Sequence, residues 1–301
     1  MELWIPITLA AAFCQNLRSA LQKHLTAKLS TSGATFVRFV YAFPFAALYV
    51  GLLHRGWSLP IPDPTPLFVF YFVVGGITQI AATALLVHLF SLRNFAVGTT
   101  YSKTETIQAA LFGIVILGDQ LTLGATFAIM VSLVGVMMIS VGKGQAGLRN
   151  ILLGWTERPA AIGLASGACF GISAVSYRAA ALSLGGDGFL MQAAFTLACV
   201  TLFQTAIMSI YIRIREPGQL TEVRRSWRVA SLVGLSGMLA SAGWFTAMTI
   251  QNAAYVRALG QVELVFTFIA SYVFFRERAN AAELGGIALV VAGIVILLLF
   301  R

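Results

Sequence analysis

The chain has 301 residues, of which 58% are hydrophobic and only 10% charged, with a mean hydropathy of +0.86 and a net charge of +9. A water-soluble domain of this length exposes far more charge, so that class is excluded. The positive balance sits largely between long apolar runs, where it reads as membrane anchoring and orientation and does not require nucleic acid as a partner.

A spanning helix needs about 20 mostly apolar residues, because about 30 Å of hydrocarbon is crossed at about 1.5 Å per residue. The runs here are long and lack the polar alternation of a membrane barrel, so they predict helices. The start, MELW, has no basic segment of the kind a cleavable signal peptide uses. The first run, about 3–26, is therefore expected to remain as helix one. Its second half, CQNLRSALQKH, is too polar to face lipid and is expected to line something wet.

Helix two is predicted at about 34–53, with Arg38 near the interface and Pro44 inside it, and SLPIPDPTP stops the chain before the next span. Helices three, four and five follow at about 67–89, 95–117 and 121–141. A glycine-rich basic linker, GKGQAGLRN, separates them from helices six to ten at about 160–184, 189–212, 229–250, 254–275 and 281–300. The expected organisation is a five-helix repeat over 1–142, a linker over 143–156 and a second five-helix repeat over 157–301.

The duplication is written in one register. The segment from Thr99 to Leu121, TTYSKTETIQAALFGIVILGDQL, returns 158 residues later as RALGQVELVFTFIASYVFFRERA from Arg257. Glu263 then matches Glu105, Glu277 matches Asp119, Asn252 matches Asn94 and Gly293 matches Gly135. An odd number of spans per copy forces the second to enter the membrane upside down, so the fold class is an all-α membrane protein of two inverted five-helix repeats. Such a plan places a binding site near the midplane between the halves.

FVRFVYAFP in helix two, ACFGIS opening helix six, and LFGIVILGD and FIASYVFFRE closing helices four and nine carry a family resemblance. Over its whole length the chain resembles the ten-helix, EamA-type members of the drug/metabolite transporter superfamily. The resemblance implies export of amino acids or related metabolites across the bacterial inner membrane. Members usually have a proline near the middle of helix four, where this chain reads TETI, so a proline hinge is not expected.

Lysine and arginine are retained on the cytoplasmic side of short loops. Thirteen of the 20 basic residues fall in loops one-two, three-four, five-six, seven-eight and nine-ten, including Lys28, Arg213, Arg215, Arg225 and Arg228, against Arg55 and Arg301 opposite. Both termini are thereby expected outside the cytoplasm, which departs from the family expectation.

Five basic residues remain inside the spans, Arg18, Arg38, Lys103, Arg178 and Arg257, with the acids Glu105 and Glu263. An ionised side chain at a helix centre costs about 2.5 to 3.5 kcal/mol on insertion scales, so these are expected to face a shared cavity. Tyr101 and Glu105 share a helical face, while Lys103 points largely the other way; Arg257 and Gln261 share a face, with Glu263 roughly opposite Gln261.

Two readings stand for Glu105 and Glu263. Carboxylates in a membrane cavity can load and release protons as access alternates, which makes protons the candidate coupling ion; alternatively the two form permanent ion pairs between the halves. Lys103, Arg18, Arg178 and Arg257 read as a cationic cavity for a carboxylate-bearing solute, with snorkelling to the headgroups as the alternative for Arg18, Arg38 and Arg178. Trp244 either walls that cavity or packs in the core.

Trp4, Trp57, Trp155 and Trp227, near span ends, are expected as interfacial anchors. Gly163, Gly167 and Gly171 form two overlapping GxxxG patterns that permit close helix packing. Asp119 and Glu277 are expected to cap helices five and ten. Cys14, Cys169 and Cys199 read as apolar fillers, and His24, His54 and His88 are scattered without metal-ligand spacing. No HExxH, GxSxG or glycine-rich phosphate loop is present, so no catalytic residue, cofactor or metal is expected. The expected function is secondary transport, with a lysolipid or lipid flippase or a cationic drug exporter on the same fold as the alternative; a monomer suffices, and a dimer is compatible with the same plan.

Overall fold

The computed structural model describes residues 2–25, 28–90, 101–142, 158–186, 188–274 and 280–300. Among these every regular element is a helix. In order they are α1 (Trp4–Leu25), α2 (Thr31–Val40), α3 (Ala42–Gly56), α4 (Pro66–Phe90), α5 (Glu105–Leu117), α6 (Leu123–Gly142) and α7 (Arg158–Ser183). There follow α8 (Phe189–Arg215), α9 (Gln219–Arg225), α10 (Trp227–Ile250), α11 (Ala253–Gly260), α12 (Val262–Phe274) and α13 (Ala281–Phe300). Asn94, Trp155, Glu277, the 143–156 linker and the first turn of expected helix four lie outside the described residues.

Seven described segments are long and apolar enough to cross a membrane: Thr31–Gly56, Pro66–Leu86, Leu123–Ser140, Arg158–Ser183, Phe189–Arg215, Trp227–Ile250 and Ala281–Phe300. Their outer faces carry large apolar side chains in the open, among them Leu48, Phe70, Phe127, Leu202 and Leu239. Water would not tolerate so much apolar surface, whereas lipid solvates it.

Three expected spans differ from the prediction. Helix two is interrupted at Tyr41, because Pro44 has no N–H to bond the carbonyl four residues back. Helix nine breaks into α11 and α12 at Gln261. Expected helix four has Tyr101 and Ser102 helical, a turn at Lys103 and Thr104, and then α5. The short α9 in loop seven-eight had no counterpart in the sequence reading.

The chain divides into two compact units, each drawing segments from both sides of the linker. Unit 1 is Met1–Ile77 with Ser176–Gln251, and unit 2 is Thr78–Val175 with Asn252–Arg301.

In unit 1, α1 packs along α10. Gly243 permits this approach: a Cβ there would lie 2.7 Å from that of Ala11. Part of the polar half of α1 is met inside the unit, while Ser19 and His24 remain exposed. Gln15 Oε1 accepts from Trp244 Nε1 (3.0 Å), Gln22 Nε2 donates to the Ala34 carbonyl (2.8 Å), and Arg18 is buried with its stem against Gly237. Beside them Tyr177 stacks on Phe245 and donates its hydroxyl to the Gly75 carbonyl (3.0 Å). Trp57 and Trp227 are exposed at span ends as expected, but Trp4 is only 1% exposed and donates to Glu2. A tryptophan so covered belongs to the core.

In unit 2, α6 and α13 pack along each other through small residues. A Cβ on Gly135 would meet the Gly286 carbonyl at 2.6 Å and Val290 N at 2.8 Å; one on Gly293 would meet the Ala128 carbonyl at 2.8 Å and Ser132 N at 3.0 Å. Gly286 and Val290 are the 158-residue equivalents of Ala128 and Ser132. The two glycines therefore occupy the two ends of one reciprocal contact.

The expected cap at Asp119 is corrected. Thr122 Oγ1 accepts from Ala125 N (3.0 Å) and so caps α6, while the Asp119 N–H closes the end of α5 on the Gly113 carbonyl. Gly118 turns the chain there with φ of 68°, a left-handed conformation suited to glycine. At the equivalent of Thr122, Asn280 Oδ1 accepts from Glu283 N (2.9 Å) and caps α13. These caps lie three residues after the acids that the sequence suggested.

Candidate functional site

Among the described residues of unit 2, the two helix breaks bring Lys103, Glu105, Arg257 and Glu263 together. At the first, the Thr104 N–H bonds the Tyr101 carbonyl (3.1 Å), and the Thr104 hydroxyl donates to that same carbonyl (2.6 Å) while accepting from Gln108 Nε2 (2.8 Å). A threonine-closed turn thus breaks the helix. At the second, the Gln261 N–H bonds the Ala258 carbonyl (3.2 Å) and the Leu264 N–H bonds the Gln261 carbonyl (3.0 Å). Both breaks are tight turns closed by bonds three residues apart, which hydropathy does not register.

A broken helix exposes a partial positive charge where its second piece begins and a partial negative charge where its first piece ends. Glu105 opens α5 and Glu263 lies in the first turn of α12, while Arg257 lies in the last turn of α11. Each charge therefore has the sign its helix end favours. The duplicated register of the two glutamates follows from the duplicated break.

The ion pairs cross between the copies. Lys103 Nζ lies 3.2 Å from Glu263 Oε1, and an Arg257 guanidinium nitrogen lies 3.7 Å from Glu105 Oε1. Gln261 Nε2 ties the breaks further by donating to Thr106 Oγ1 (3.1 Å), both residues being buried. Two cations and two anions leave the cluster neutral if all are ionised. Its members differ in access: the Lys103 side chain is 40% exposed, those of Glu105 and Glu263 21%, and that of Arg257 17%. Lys103 is the most exposed of the four.

Small residues of α7 let it lie against this region. A Cβ on Gly167 would come within 2.9 Å of the Ser102 carbonyl and 3.3 Å of Glu105 N, and one on Gly171 within 3.0 Å of Ala109 N. Gln108 Nε2 also reaches the Leu164 carbonyl on α7 at 3.4 Å.

Of the nine residues expected to line a cavity, the structure brings Lys103, Glu105, Arg257, Gln261 and Glu263 to the paired breaks, with half-buried Tyr101 just before the first. Arg18, Arg178 and Trp244 are engaged within unit 1. The Arg178 guanidinium donates to the carbonyls of Met248 (2.6 Å) and Gln251 (2.7 Å), clasping the C-terminus of α10 where carbonyls lack helical partners. Thr106 was missed from the sequence. The clue was a polar residue inside TETI, one position past a glutamate within a span.

A multi-pass, all-helical membrane protein whose helices break at a pair of charged centres has the construction of a transporter. The sequence profile of the EamA-like transporter family matches residues 2–141 and again residues 159–299, and the chain belongs to that family, within the drug/metabolite transporter superfamily. It is a membrane transporter. A solved structure, described only as the crystal structure of a protein, has the same fold, with a TM-score of 0.73 at 16% identity over 99% of this chain and 98% of that chain. No curated protein matches the chain.

Proposed function

We propose that the chain is a secondary active transporter of the bacterial inner membrane that exports a small carboxylate-bearing metabolite, such as an amino acid, by alternating access. The observation that carries this reading is the half-exposed Lys103 held by Glu263 at one helix break. A solute carboxylate competes with Glu263 for Lys103. Binding frees Glu263, which is the candidate group to exchange protons as access alternates. Glu105 with Arg257 serves as the more covered counterpart and holds the second break during the exchange. Two inverted repeats of five spans, both termini outside the cytoplasm and a monomer as the working unit complete the proposal.

The test is a thermal-shift screen of the purified protein against amino acids, organic anions, drug-like cations and lysolipids, with Lys103→Ala in parallel. A ligand at about a hundred times its dissociation constant stabilises the folded state by about 2.7 kcal/mol. Carboxylate hits that vanish in Lys103→Ala support the proposal. Hits confined to cations or lysolipids reject it in favour of drug export or lipid flipping.

A further inference from the structure

The structure joins two stretches that the chain separates by some two hundred residues, the end of α1 and the α9–α10 junction, around a cavity of about 530 Å³ in unit 1. Its wall carries His24, Lys28, Arg225 and Arg228 as basic side chains and Glu222 as the acid. Arg225 engages Glu222 at 2.7 Å, an exposed pair that only partly offsets either charge. Lys28 and Arg228 are exposed, and the Arg228 guanidinium lies 5.7 Å from the Trp227 ring centre. Ser226, also in the wall, begins α10 without a side-chain cap hydrogen bond, so the end of that helix adds to the positive field.

The cavity opens at the edge of apolar chain. Leu25 ends α1, and Trp227, an exposed indole, is the first residue of a segment long and apolar enough to span a membrane. That is the level at which tryptophan sits among lipid headgroups. A cavity of this size holds a small-molecule group with room to be surrounded. Surplus lysine and arginine with an open mouth favour phosphate oxygens, to which they donate charge-assisted hydrogen bonds.

We propose that this cavity is a phosphate site occupied by the headgroup of an anionic phospholipid. It lies apart from the ion pairs of unit 2, and its occupancy does not depend on which solute is moved. Arg228 and Lys28 bind the phosphate oxygens, Trp227 sits against the glycerol region, and Glu222 limits affinity by its own charge. Arg225 is shared between Glu222 and the ligand.

The experiment is native mass spectrometry of the full chain released from detergent micelles containing equal amounts of phosphatidylglycerol and phosphatidylcholine with the same acyl chains. Inorganic phosphate at millimolar concentration is added in a second arm. The expected result is preferential retention of phosphatidylglycerol, lowered about fivefold for each cation removed in Lys28→Gln and Arg228→Gln. The charge-preserving pair Lys28→Arg with Arg228→Lys keeps it, and Glu222→Gln raises it. Arg213→Gln with Arg215→Gln, exposed basic residues outside the cavity wall, leaves it unchanged.

Retention that is insensitive to inorganic phosphate supports the lipid as the source of the phosphate group. Displacement of the lipid by inorganic phosphate in the wild type, and not in Lys28→Gln with Arg228→Gln, keeps the phosphate chemistry but rejects the lipid as occupant. Equal retention of the two lipids, or equal losses from the cavity and control substitutions, overturns the proposal.

Discussion

Lys103 pairs with Glu263 at 3.2 Å and leaves Glu105, only two residues along its own chain, to Arg257 at 3.7 Å. Each copy of the duplicated motif thus supplies a carboxylate to the cation of the other. The arrangement pins the two helix breaks to each other by charge, with the Gln261–Thr106 hydrogen bond beside them.

A double-mutant cycle tests that crossing. Lys103→Ala and Glu263→Ala each lower stability, and their combination costs less than the sum by about 1 kcal/mol, because one loss already removes the pair. Lys103→Ala with Glu105→Ala is expected to couple less strongly. Thermal unfolding of the four variants in detergent decides this, and stronger coupling of Lys103 to Glu105 would contradict the crossed pairing.

The ion pairs also set a pH experiment. Glu263→Gln cannot take up a proton, so in proteoliposomes transport by that variant is expected to lose its dependence on a pH gradient while solute exchange persists. Glu105→Gln, paired with the more covered cation, is expected to lose rate as well as coupling. Full pH dependence in both variants would sink proton coupling through these residues.

Arg178 separates a structural from a solute-binding role. Replacing it with Met keeps its bulk but leaves the Met248 and Gln251 carbonyls without their charged donor, at a cost of about 1.5 to 3 kcal/mol per hydrogen bond of this kind. The expected outcome is a lower unfolding temperature with the solute preference unchanged. A changed preference at unchanged stability would place Arg178 in solute recognition instead.

Gly135 and Gly293 make a matched pair. Alanine at either position pushes a methyl group against backbone atoms of the facing helix, and overpacking of this kind costs about 1 to 3 kcal/mol. Both substitutions are expected to destabilise by similar amounts, read as unfolding temperatures, because each glycine faces the equivalents of the other's neighbours. A neutral result at both sites would mean that α6 and α13 pack less closely than described.

Much of this was legible along the chain. Glu105, Glu263, Gly135 and Gly293 stood out because identical residues in one register expose a duplication. Apart from the interruptions in expected helices two, four and nine and the short α9, the described helix ends fell within a few residues of their predicted positions, since a sustained apolar run admits little else. The breaks themselves were not legible: VELVF at the second is as apolar as any continuous helix, and the threonine-closed turn at the first contains neither proline nor glycine. The caps at Thr122 and Asn280 were displaced onto nearby acids for a related reason. A carboxylate near a helix start is a plausible cap in sequence, and only backbone geometry shows which side chain meets the N–H.

The sequence by itself determined the membrane class, the duplication and the pair of glutamates, because hydropathy and repetition are properties of residue order. The tertiary structure alone decided which cation each glutamate takes, that Arg178 and Trp244 are bonded within unit 1, and that Lys28 and Arg228 share a cavity wall. Those outcomes depend on distances between residues far apart in the chain. A charge pattern lists the ions that must be compensated, but only packing selects the partner.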